Sequence, residues 1–326
     1  MDEQLLQIAR RLLLGADRLL VASHIRPDGD AIGSLLGLGL SLRAAGKDVQ
    51  MVSADGVPSI FRHLAGSELV STRPEGHFDL IIVVDCSDLD RVGNALNGFS
   101  TPDLNVDHHP TNLNFARLNL VETEAVATAE MLAGYLPTFG LPITRPVADA
   151  LLFGIITDTL GFRTHNMTAR ALRIAANLME AGSDLSNLYH LALLKRSFEA
   201  ARYWGAGLSA LQREGRLAWT SLTLADRRAV GYPGRDDADL NNILSTVEEV
   251  DVVVVFVEQG NGHIKVSWRS LPGFDVSQVA LRFGGGGHAA AAGAELDGSL
   301  EEVQAKVLPA TRALLNRNQE FIVIEN

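Results

Sequence analysis

The amino-acid sequence predicts an α/β protein: an N-terminal domain with a largely parallel sheet and flanking helices, followed by a smaller C-terminal α/β substrate-binding domain. Residues 79–85 (DLIIVVD) form a continuous apolar run of the kind that parallel sheets bury on both faces. Strand-like and helical segments alternate through the first half of the chain, which is typical of a parallel sheet. After residue 215 the pattern changes, and residues 259–262 (QGNG) between two strand-like runs indicate a hairpin.

Apolar spacing predicts the individual elements. In the first domain we expect helices at 3–14, 31–45, 125–136 and 144–157, and strands at 18–23, 48–53, 79–85 and 104–106. Residues 167–214 contain no clear strand and are expected to form consecutive helices. In the second domain we expect strands at 217–224, 252–258 and 263–268, and helices at 238–248, 275–283 and 299–316. The predicted domains are therefore 1–185 and 208–326, joined by a helical connector at 186–207.

The composition is that of an acidic globular protein. Of the 326 residues, 47% are hydrophobic and 21% are charged, which excludes a disordered chain. The formal net charge of -11 argues against binding of duplex nucleic acid, because such binding needs a basic surface. A single cysteine, Cys86, excludes an intramolecular disulfide and favours a reducing compartment. With neither a signal-peptide pattern nor a membrane-spanning run, we expect a cytoplasmic protein that does not bind membranes.

Acidic and imidazole side chains lie where several predicted elements end. The candidate metal ligands are His24, Asp28, Asp30, Asp85, His108 and Asp158. Because the carboxyl ends of parallel strands form one edge of a sheet, we expect these groups to converge there. Carboxylates mixed with imidazoles favour Mn²⁺, with Mg²⁺ or Co²⁺ as alternatives. Four aspartates and two histidines are too many for one ion that keeps water ligands, and they suit two ions that share a carboxylate.

Each of these motifs has a simpler explanation when it is taken alone. Asp28 and Asp30 are typical of a turn and a helix cap, Asp85 of a strand end, and residues 107–109 (DHH) of a polar loop. A metal site is indicated only by the full series, in which each member lies at an element boundary. The order of the series is His-x3-Asp-x-Asp, Asp, Asp-His-His, Asp.

The same motifs resemble those of the DHH phosphoesterase superfamily. Residues 23–33 (SHIRPDGDAIG) resemble its first motif, 83–85 (VVD) its second, 107–109 its third and 157–159 (TDT) its fourth. The resemblance implies two ligand sets that share Asp85: His24, Asp28 and Asp85 for one Mn²⁺, and Asp30, Asp85, His108 and Asp158 for the other. It also implies that Asp107 orients a histidine and that His109 faces the scissile phosphate as a catalytic residue. Leu160 departs from the pattern, because a glycine is expected directly after Thr159.

A glycine-rich tract, residues 283–293 (FGGGGHAAAAG), is a second candidate site. Consecutive glycines let backbone N–H groups approach a phosphate, and the alanines are expected to open a helix whose N-terminus favours an anion. Arg269 ends a predicted hairpin strand and offers a guanidinium to a phosphate. A flexible turn and a plain surface charge are the alternatives. Both features resemble the DHH-associated substrate domain, which implies a substrate-binding set of Arg269, Ser270, Gly284, Gly285, Gly286, Gly287 and His288.

The two resemblances cover nearly the whole chain, in the combination found in the nanoRNase and pAp phosphatase group. They imply a Mn-dependent two-metal phosphohydrolase that degrades short oligoribonucleotides to mononucleotides, dephosphorylates 3′-phosphoadenosine 5′-phosphate (pAp), or does both. The open alternatives are a phosphodiesterase for linear or cyclic dinucleotides such as pApA and pGpG, an inorganic pyrophosphatase, and a non-catalytic nucleotide-binding regulator. Expected partners are short single-stranded RNA or DNA oligomers or pAp. The resemblance also implies a homodimer, and we expect the two domains to close on the substrate.

Overall fold

The computed structural model describes residues 2–322, with side chains through residue 316. The chain divides into two units, Met1–Lys195 and Arg196–Asn326, and each is described by itself. The last residues of the predicted second domain, 323–326, lie outside the described residues. Among the described residues, no helix is both long enough and apolar enough to cross a lipid bilayer.

The first unit contains one parallel sheet with helices around it. Its strands are β1 (Arg18–Ala22), β2 (Asp48–Val52), β3 (Val70–Ser71), β4 (Leu80–Val84), β5 (Leu104–Asp107) and β6 (Leu118–Val121). Its helices are α1 (Glu3–Gly15), α2 (Gly29–Ala44), α3 (Thr128–Phe139), α4 (Arg145–Asp158), α5 (Ala169–Glu180) and α6 (Leu185–Tyr189), with a π-helical turn at His190–Leu194. The strand order is β3-β2-β1-β4-β5-β6, and all pairs are parallel. The predicted parallel α/β architecture is confirmed.

The order of this sheet reverses between β1 and β4. From β1 the chain builds outward to β2 and β3, and from β4 it builds in the other direction to β5 and β6. All five residues of β4 are buried, as expected for a strand that is covered on both faces. Such a reversal opens a crevice at the carboxyl ends of the two central strands, which is where open α/β sheets bind ligands.

Helices α2 and α4 pack closely because of a glycine. A Cβ added at Gly33 would lie 2.5 Å from the carbonyl oxygen of Ala150, so a larger residue there would force the helices apart. This contact holds Asp158, the last residue of α4, near Asp30 in the first turn of α2. The packing of two helices thus places two of the predicted ligands at the same end of the sheet.

The second unit is a smaller α/β unit built on a mixed sheet. Its strands are β7 (Gln212–Glu214), β8 (Leu217–Leu222), β9 (Val252–Glu258), β10 (His263–Ser270), β11 (Gly286–His288) and β12 (Ala291–Asp297). Its helices are α7 (Phe198–Ser209), α8 (Leu224–Val230), α9 (Leu240–Leu244), α10 (Ser277–Arg282) and α11 (Leu300–Ile322). The order is β11-β12-β10-β9-β8-β7, in which β8 and β9 are parallel and the other pairs antiparallel.

Several local predictions differ from the structure. Residues 167–214, which were expected to form consecutive helices, end in the strand β7. The helix expected after the glycine tract is wrong: residues 291–297 form β12, which pairs with both β10 and β11 and buries Ala292 and Ala294. The helix expected at 238–248 is reduced to Leu240–Leu244, since Ala238 and Asp239 adopt left-handed backbone angles that interrupt it. The helix expected from residue 125 begins at Thr128, after extended backbone at Ala127. That later start matters for the candidate metal site.

Candidate metal centre and substrate-binding residues

The structure brings all six predicted metal ligands together at the carboxyl edge of the first sheet. His24 follows β1, Asp85 follows β4 and His108 follows β5, while Asp28, Asp30 and Asp158 lie at helix ends. One group contains His24, Asp28 and Asp85. In it, His24 Nε2 lies 3.6 Å from Asp85 Oδ2 and 3.9 Å from Asp28 Oδ1.

A second group contains Asp30, His108 and Asp158. His108 Nε2 lies 3.9 Å from Asp30 Oδ2 and 3.7 Å from Asp158 Oδ2. It also lies 3.8 Å from Asp85 Oδ1, whereas His24 lies closest to Oδ2 of the same carboxylate. Asp85 therefore presents one oxygen to each group.

The distances between these atoms fit a cation better than direct hydrogen bonds. At 3.6–3.9 Å, the histidine nitrogens and carboxylate oxygens are too far apart to hydrogen-bond. Two ligand atoms that share an ion at about 2.1 Å each lie roughly 3.0–4.2 Å apart, depending on the angle between them. The donor set of hard carboxylate oxygens and imidazole nitrogens also fits a divalent ion.

Both histidines in these groups are held in the tautomer that metal binding needs. Nδ1 of His24 lies 2.8 Å from the carbonyl oxygen of Ile25, and Nδ1 of His108 lies 3.2 Å from that of Ala125. A carbonyl oxygen can only accept, so each Nδ1 carries the proton. This leaves Nε2, the atom that faces the carboxylates, as the nitrogen that could bind a metal.

Asp85 has a strained backbone that directs its side chain into the site. Its φ angle is 54°, in the left-handed region where residues other than glycine are uncommon, although aspartate tolerates it better than most. Thr128 Oγ1 donates a hydrogen bond to Asp85 Oδ1 at 2.9 Å. Strain of this kind is concentrated at functional sites in proteins.

Asp28 and Asp30 also make the helix caps that the simpler explanation expects. Asp28 caps α2 by accepting a hydrogen bond from the N–H of Ala31 at 3.0 Å. The buried carboxylate of Asp30 accepts from the N–H groups of Thr128 at 2.7 Å and Ala129 at 2.9 Å, in the first turn of α3. The hydroxyl of Ser34 donates to it as well. Capping is thus compatible with a place in the cluster.

Burial and mutual repulsion control the protonation of the clustered acids. Burial raises the pKa of Asp30 well above its ordinary value, and the charges of Asp85, Asp158 and Asp28 raise it further. Burial, opposed by the charge of His108 and reinforced by nearby carboxylates, raises the pKa of Asp158 to about 7. Burial also acts on Asp85, but there the neighbouring histidines outweigh it and lower the pKa. A cation among these groups would favour the ionised form of each acid.

Asp107 and His109 form a hydrogen-bonded pair at the edge of the cluster, where His109 Nδ1 lies 3.8 Å from Asp85 Oδ1 and Asp85, His108 and His109 make a further group that could hold a metal. Asp107 is fully buried, and its Oδ1 lies 2.7 Å from Nδ1 of His109. Burial lowers the pKa of His109, but the Asp107 hydrogen bond and the nearby carboxylate charges outweigh it and raise the pKa to about 9. Asn112 donates to the other oxygen of Asp107 at 2.5 Å and to Asn105 Oδ1 at 2.8 Å. Asn105, Asn112 and Thr128 are site residues that the sequence did not predict.

The predicted substrate-binding residues of the second unit lie at one end of its sheet. Arg269, near the end of β10, donates to Asn242 Oδ1 at 3.2 Å and to the Trp268 carbonyl at 3.0 Å. Burial lowers its pKa, although the charges of Asp237 and Asp239 oppose this shift. The hydroxyl of Ser270 lies 2.8 Å from the Phe274 carbonyl and 3.1 Å from that of Ala289, so it supports its own loop.

The glycine tract has structural reasons for some of its glycines. A Cβ at Gly285 would lie 2.1 Å from the Gly293 carbonyl oxygen, and one at Gly287 would lie 2.5 Å from that of Ala291. Gly284 has a φ angle of 73°, whereas Gly286 has open space beside it. His288 ends β11 and is exposed, as are Gly284, Gly286 and Gly287. The tract is an exposed edge strand on β12 rather than the start of a helix.

Fold and site together define the class of this protein: a two-unit α/β protein with a carboxylate–imidazole cluster at the reversal of its parallel sheet. The chain belongs to the DHH family. The model of the DHH family N-terminal domain matches residues 18–155, and that of the DHHA1 domain matches residues 230–316. The predicted family resemblance is therefore confirmed, and the chain is an enzyme of the DHH phosphoesterase type.

Individual relatives cover almost the whole chain. The bifunctional oligoribonuclease and PAP phosphatase NrnA of Thermus thermophilus is 36% identical over 91% of this chain and 90% of its own length. The Bacillus subtilis protein of the same name is 27% identical over 86% of this chain and 90% of its own length. The fold is also that of an exopolyphosphatase-related protein from Bacteroides fragilis, with a TM-score of 0.89 and 24% identity over 98% of both chains.

Proposed function

We propose that this chain is a two-metal phosphohydrolase that degrades short oligoribonucleotides to mononucleotides and removes the 3′-phosphate of pAp. The observation that carries the proposal is Asp85, whose two oxygens face separate acid–imidazole groups at distances suited to shared cations. The choice of substrates is supported by the relatives named bifunctional oligoribonuclease and PAP phosphatase, which match over most of their length.

In this proposal the two groups hold one cation each. His24, Asp28 and Asp85 would hold the first, and Asp30, His108 and Asp158 would hold the second together with Asp85. When bound, two divalent cations lower the pKa of an attacking water and neutralise the charge that develops on the phosphate. We propose Mn²⁺ because mixed carboxylate and imidazole ligands suit it, and Mg²⁺ and Co²⁺ are the ions to compare.

The remaining residues of the first unit would act on the phosphate. Asp107 fixes the ring of His109 through Nδ1, and Asn112 fixes Asp107 in turn. We assign His109 to contact the scissile phosphate, where a positioned imidazole stabilises developing negative charge. Because Asp107 bonds to His109 and Asn112, its role here is to orient the histidine.

The second unit would bind the nucleotide. Arg269 supplies a guanidinium for a phosphate, with Asn242 holding its Nε. The backbone of Gly284 to Gly287, which is exposed except at the half-buried Gly285, and the side chain of His288 complete the proposed contact surface. Ser270 supports the strand end that carries Arg269. The net charge of -11 supports short substrates over duplex nucleic acid. The homodimer implied by the family resemblance stays a prediction.

A side-by-side hydrolysis assay tests the proposal. The purified chain is incubated with di- to pentaribonucleotides, pAp, linear and cyclic dinucleotides, and pyrophosphate, in Mn²⁺, Mg²⁺, Co²⁺ or a chelator. We expect metal-dependent turnover of the short RNAs and pAp, none with chelator, and none in Asp85→Asn or His108→Ala variants that remain folded by circular dichroism.

The other outcomes separate the alternative functions. Preference for pyrophosphate, or for linear or cyclic dinucleotides alone, would replace the proposed substrates. Tight nucleotide binding without metal-dependent turnover would identify a regulator. Full activity in the Asp85→Asn variant would end the two-metal proposal, because Asp85 is the one carboxylate assigned to both cations.

A further inference from the structure

An arginine outside the metal cluster joins two carboxylates that belong to different elements. Arg170, in the first turn of α5, donates through its Nη1 to Glu122 Oε1, and its Nη2 lies 3.4 Å from Glu122 Oε2. Its Nε also lies 3.4 Å from Oε1 of Glu130, a residue that is 1% exposed, and makes an ion pair there without a hydrogen bond. The hydroxyl of Tyr135 donates to Glu122 as well. One guanidinium therefore connects the residue after β6 with the first turn of α3.

These two carboxylates hold the ends of one short segment, residues 122–130. The N–H of Glu122 donates to the carbonyl of Asp107 at 3.1 Å, which ties the start of the segment to β5. At the other end, Glu130 Oε2 accepts from the N–H of Val126 at 2.7 Å. Arg170 links both ends, so it restricts the position of the backbone between them.

The same segment contacts the proposed ligands of the second cation. The carbonyl of Ala125 accepts from Nδ1 of His108, and the N–H groups of Thr128 and Ala129 donate to Asp30. Thr128 also donates to Asp85 through its hydroxyl. Among the described residues, no hydrogen bond joins this segment to His24 or Asp28, the two ligands that belong to the first cation alone.

We propose that Arg170 is a positioning residue that holds the 122–130 segment where it orients His108 and Asp30, and that it thereby sets the affinity of the second cation more strongly than that of the first. This inference rests on the proposed two-metal function. A planar guanidinium can hydrogen-bond one carboxylate and pair with a second at the same time, whereas a lysine ammonium is a point charge that cannot reproduce this geometry. Partners that orient metal ligands from outside commonly change metal affinity about 10–100-fold when they are removed.

The test compares Arg170→Met with the matched control Arg173→Met, which removes an exposed arginine from the same helix. Mn²⁺ binding is measured by calorimetry and electron paramagnetic resonance, which report both stoichiometry and affinity. For Arg170→Met we expect the second ion to bind about 10–100-fold more weakly. The first ion should be weakened less, because Asp85 is the one ligand of that ion that bonds to the described segment. The control should keep both affinities.

A second measurement needs no metal. The ¹⁵N shifts of the His108 ring in the metal-free protein report its tautomer, and we expect the Nδ1–H form in the wild type and a mixture in Arg170→Met. If Arg170→Met fails to fold, Glu122→Gln replaces it, because it removes one carboxylate of the link and keeps the arginine.

Different results would contradict the proposed two-metal function and the proposed role of Arg170. A wild type that binds no second ion contradicts the proposed function, and the tautomer measurement then still decides the role of Arg170. The inference about Arg170 is overturned if the wild type binds two ions and a folded Arg170→Met or Glu122→Gln variant keeps both Mn²⁺ affinities and the same His108 tautomer. Equal weakening of both ions would also overturn it, since the segment does not bond to His24 or Asp28.

Discussion

Replacing Thr128 with valine should remove one hydrogen bond from the centre of the site and change little else. Thr128 is fully buried, and its hydroxyl donates to Oδ1 of Asp85, which is 1% exposed, at 2.9 Å. Valine keeps the size and branching of the side chain and the backbone N–H that donates to Asp30. The substitution therefore isolates the bond between a hydroxyl and a buried carboxylate.

The expected loss follows from the type of bond. A hydrogen bond to a charged group contributes about 1.5–3 kcal/mol to the free energy of unfolding. For a unit of this size, about 2–4 °C is lost per kcal/mol, so the thermal midpoint of the metal-free protein should fall by about 3–12 °C. Because Asp85 is assigned to both cations, Thr128→Val should weaken both Mn²⁺ affinities, by about 10-fold or more. This distinguishes it from Arg170→Met, which should weaken the second ion more than the first.

Thr128→Ser is the control, since serine keeps the hydroxyl. Urea and thermal unfolding of the metal-free proteins measure the first effect, and Mn²⁺ titration measures the second. The serine variant should stay near the wild type in both. If valine and serine variants show equal unfolding midpoints and equal Mn²⁺ affinities, the Thr128 hydroxyl does not support Asp85 and the reasoning is refuted.

Three further predictions concern other parts of the first unit. Asn112→Ala should lower turnover of pAp by about 10-fold or more and leave both Mn²⁺ affinities unchanged, because Asn112 bonds to Asp107 rather than to a proposed metal ligand. Steady-state kinetics and Mn²⁺ titration measure the two effects, and a parallel loss of Mn²⁺ affinity would contradict this prediction. Leu160 has a φ angle of 48°, which a β-branched residue tolerates poorly. In urea unfolding, Leu160→Val should therefore lower the free energy of unfolding by about 1–2 kcal/mol, while Leu160→Gly stays within about 1 kcal/mol of the wild type. Equal effects of the two substitutions would contradict this prediction. Mn²⁺ at about 100 times its dissociation constant should add about 2.7 kcal/mol of stability for each bound ion over the chelated protein, and the same gain in Asp85→Asn would show that the ions bind elsewhere.

The convergence of the predicted ligands could be expected from sequence because each residue lies at the end of an element. Asp85 follows a strand whose apolar run is unmistakable, and His108 follows the next strand. Since parallel strands end at one edge, locating the strand ends was enough to place the side chains together. The sequence did not show that Asp85 adopts a left-handed backbone, which lets one carboxylate face two groups.

The supporting residues could not be predicted because their partners are distant in sequence. Thr128 bonds to Asp85 across 43 positions and to Asp30 across 98, and no local spacing pattern reports such contacts. The prediction of a helix after the glycine tract was wrong for a related reason. Alanine is the best helix former in isolation, so residues 289–292 favoured a helix, but pairing of β12 with β10 determined the structure.

The donors around the acidic cluster explain how the chain can fold with these carboxylates close together. Asp30 accepts hydrogen bonds from two N–H groups at the start of α3 and from the hydroxyl of Ser34. Burial and neighbouring carboxylates nevertheless raise its pKa. Hydrogen bonds therefore offset only part of the cost of burying these charges. Divalent cations would supply the missing positive charge, so the binding free energy of the cations should include relief of this repulsion. Cations bound at the proposed sites would return part of the stability that is lost by bringing these carboxylates together.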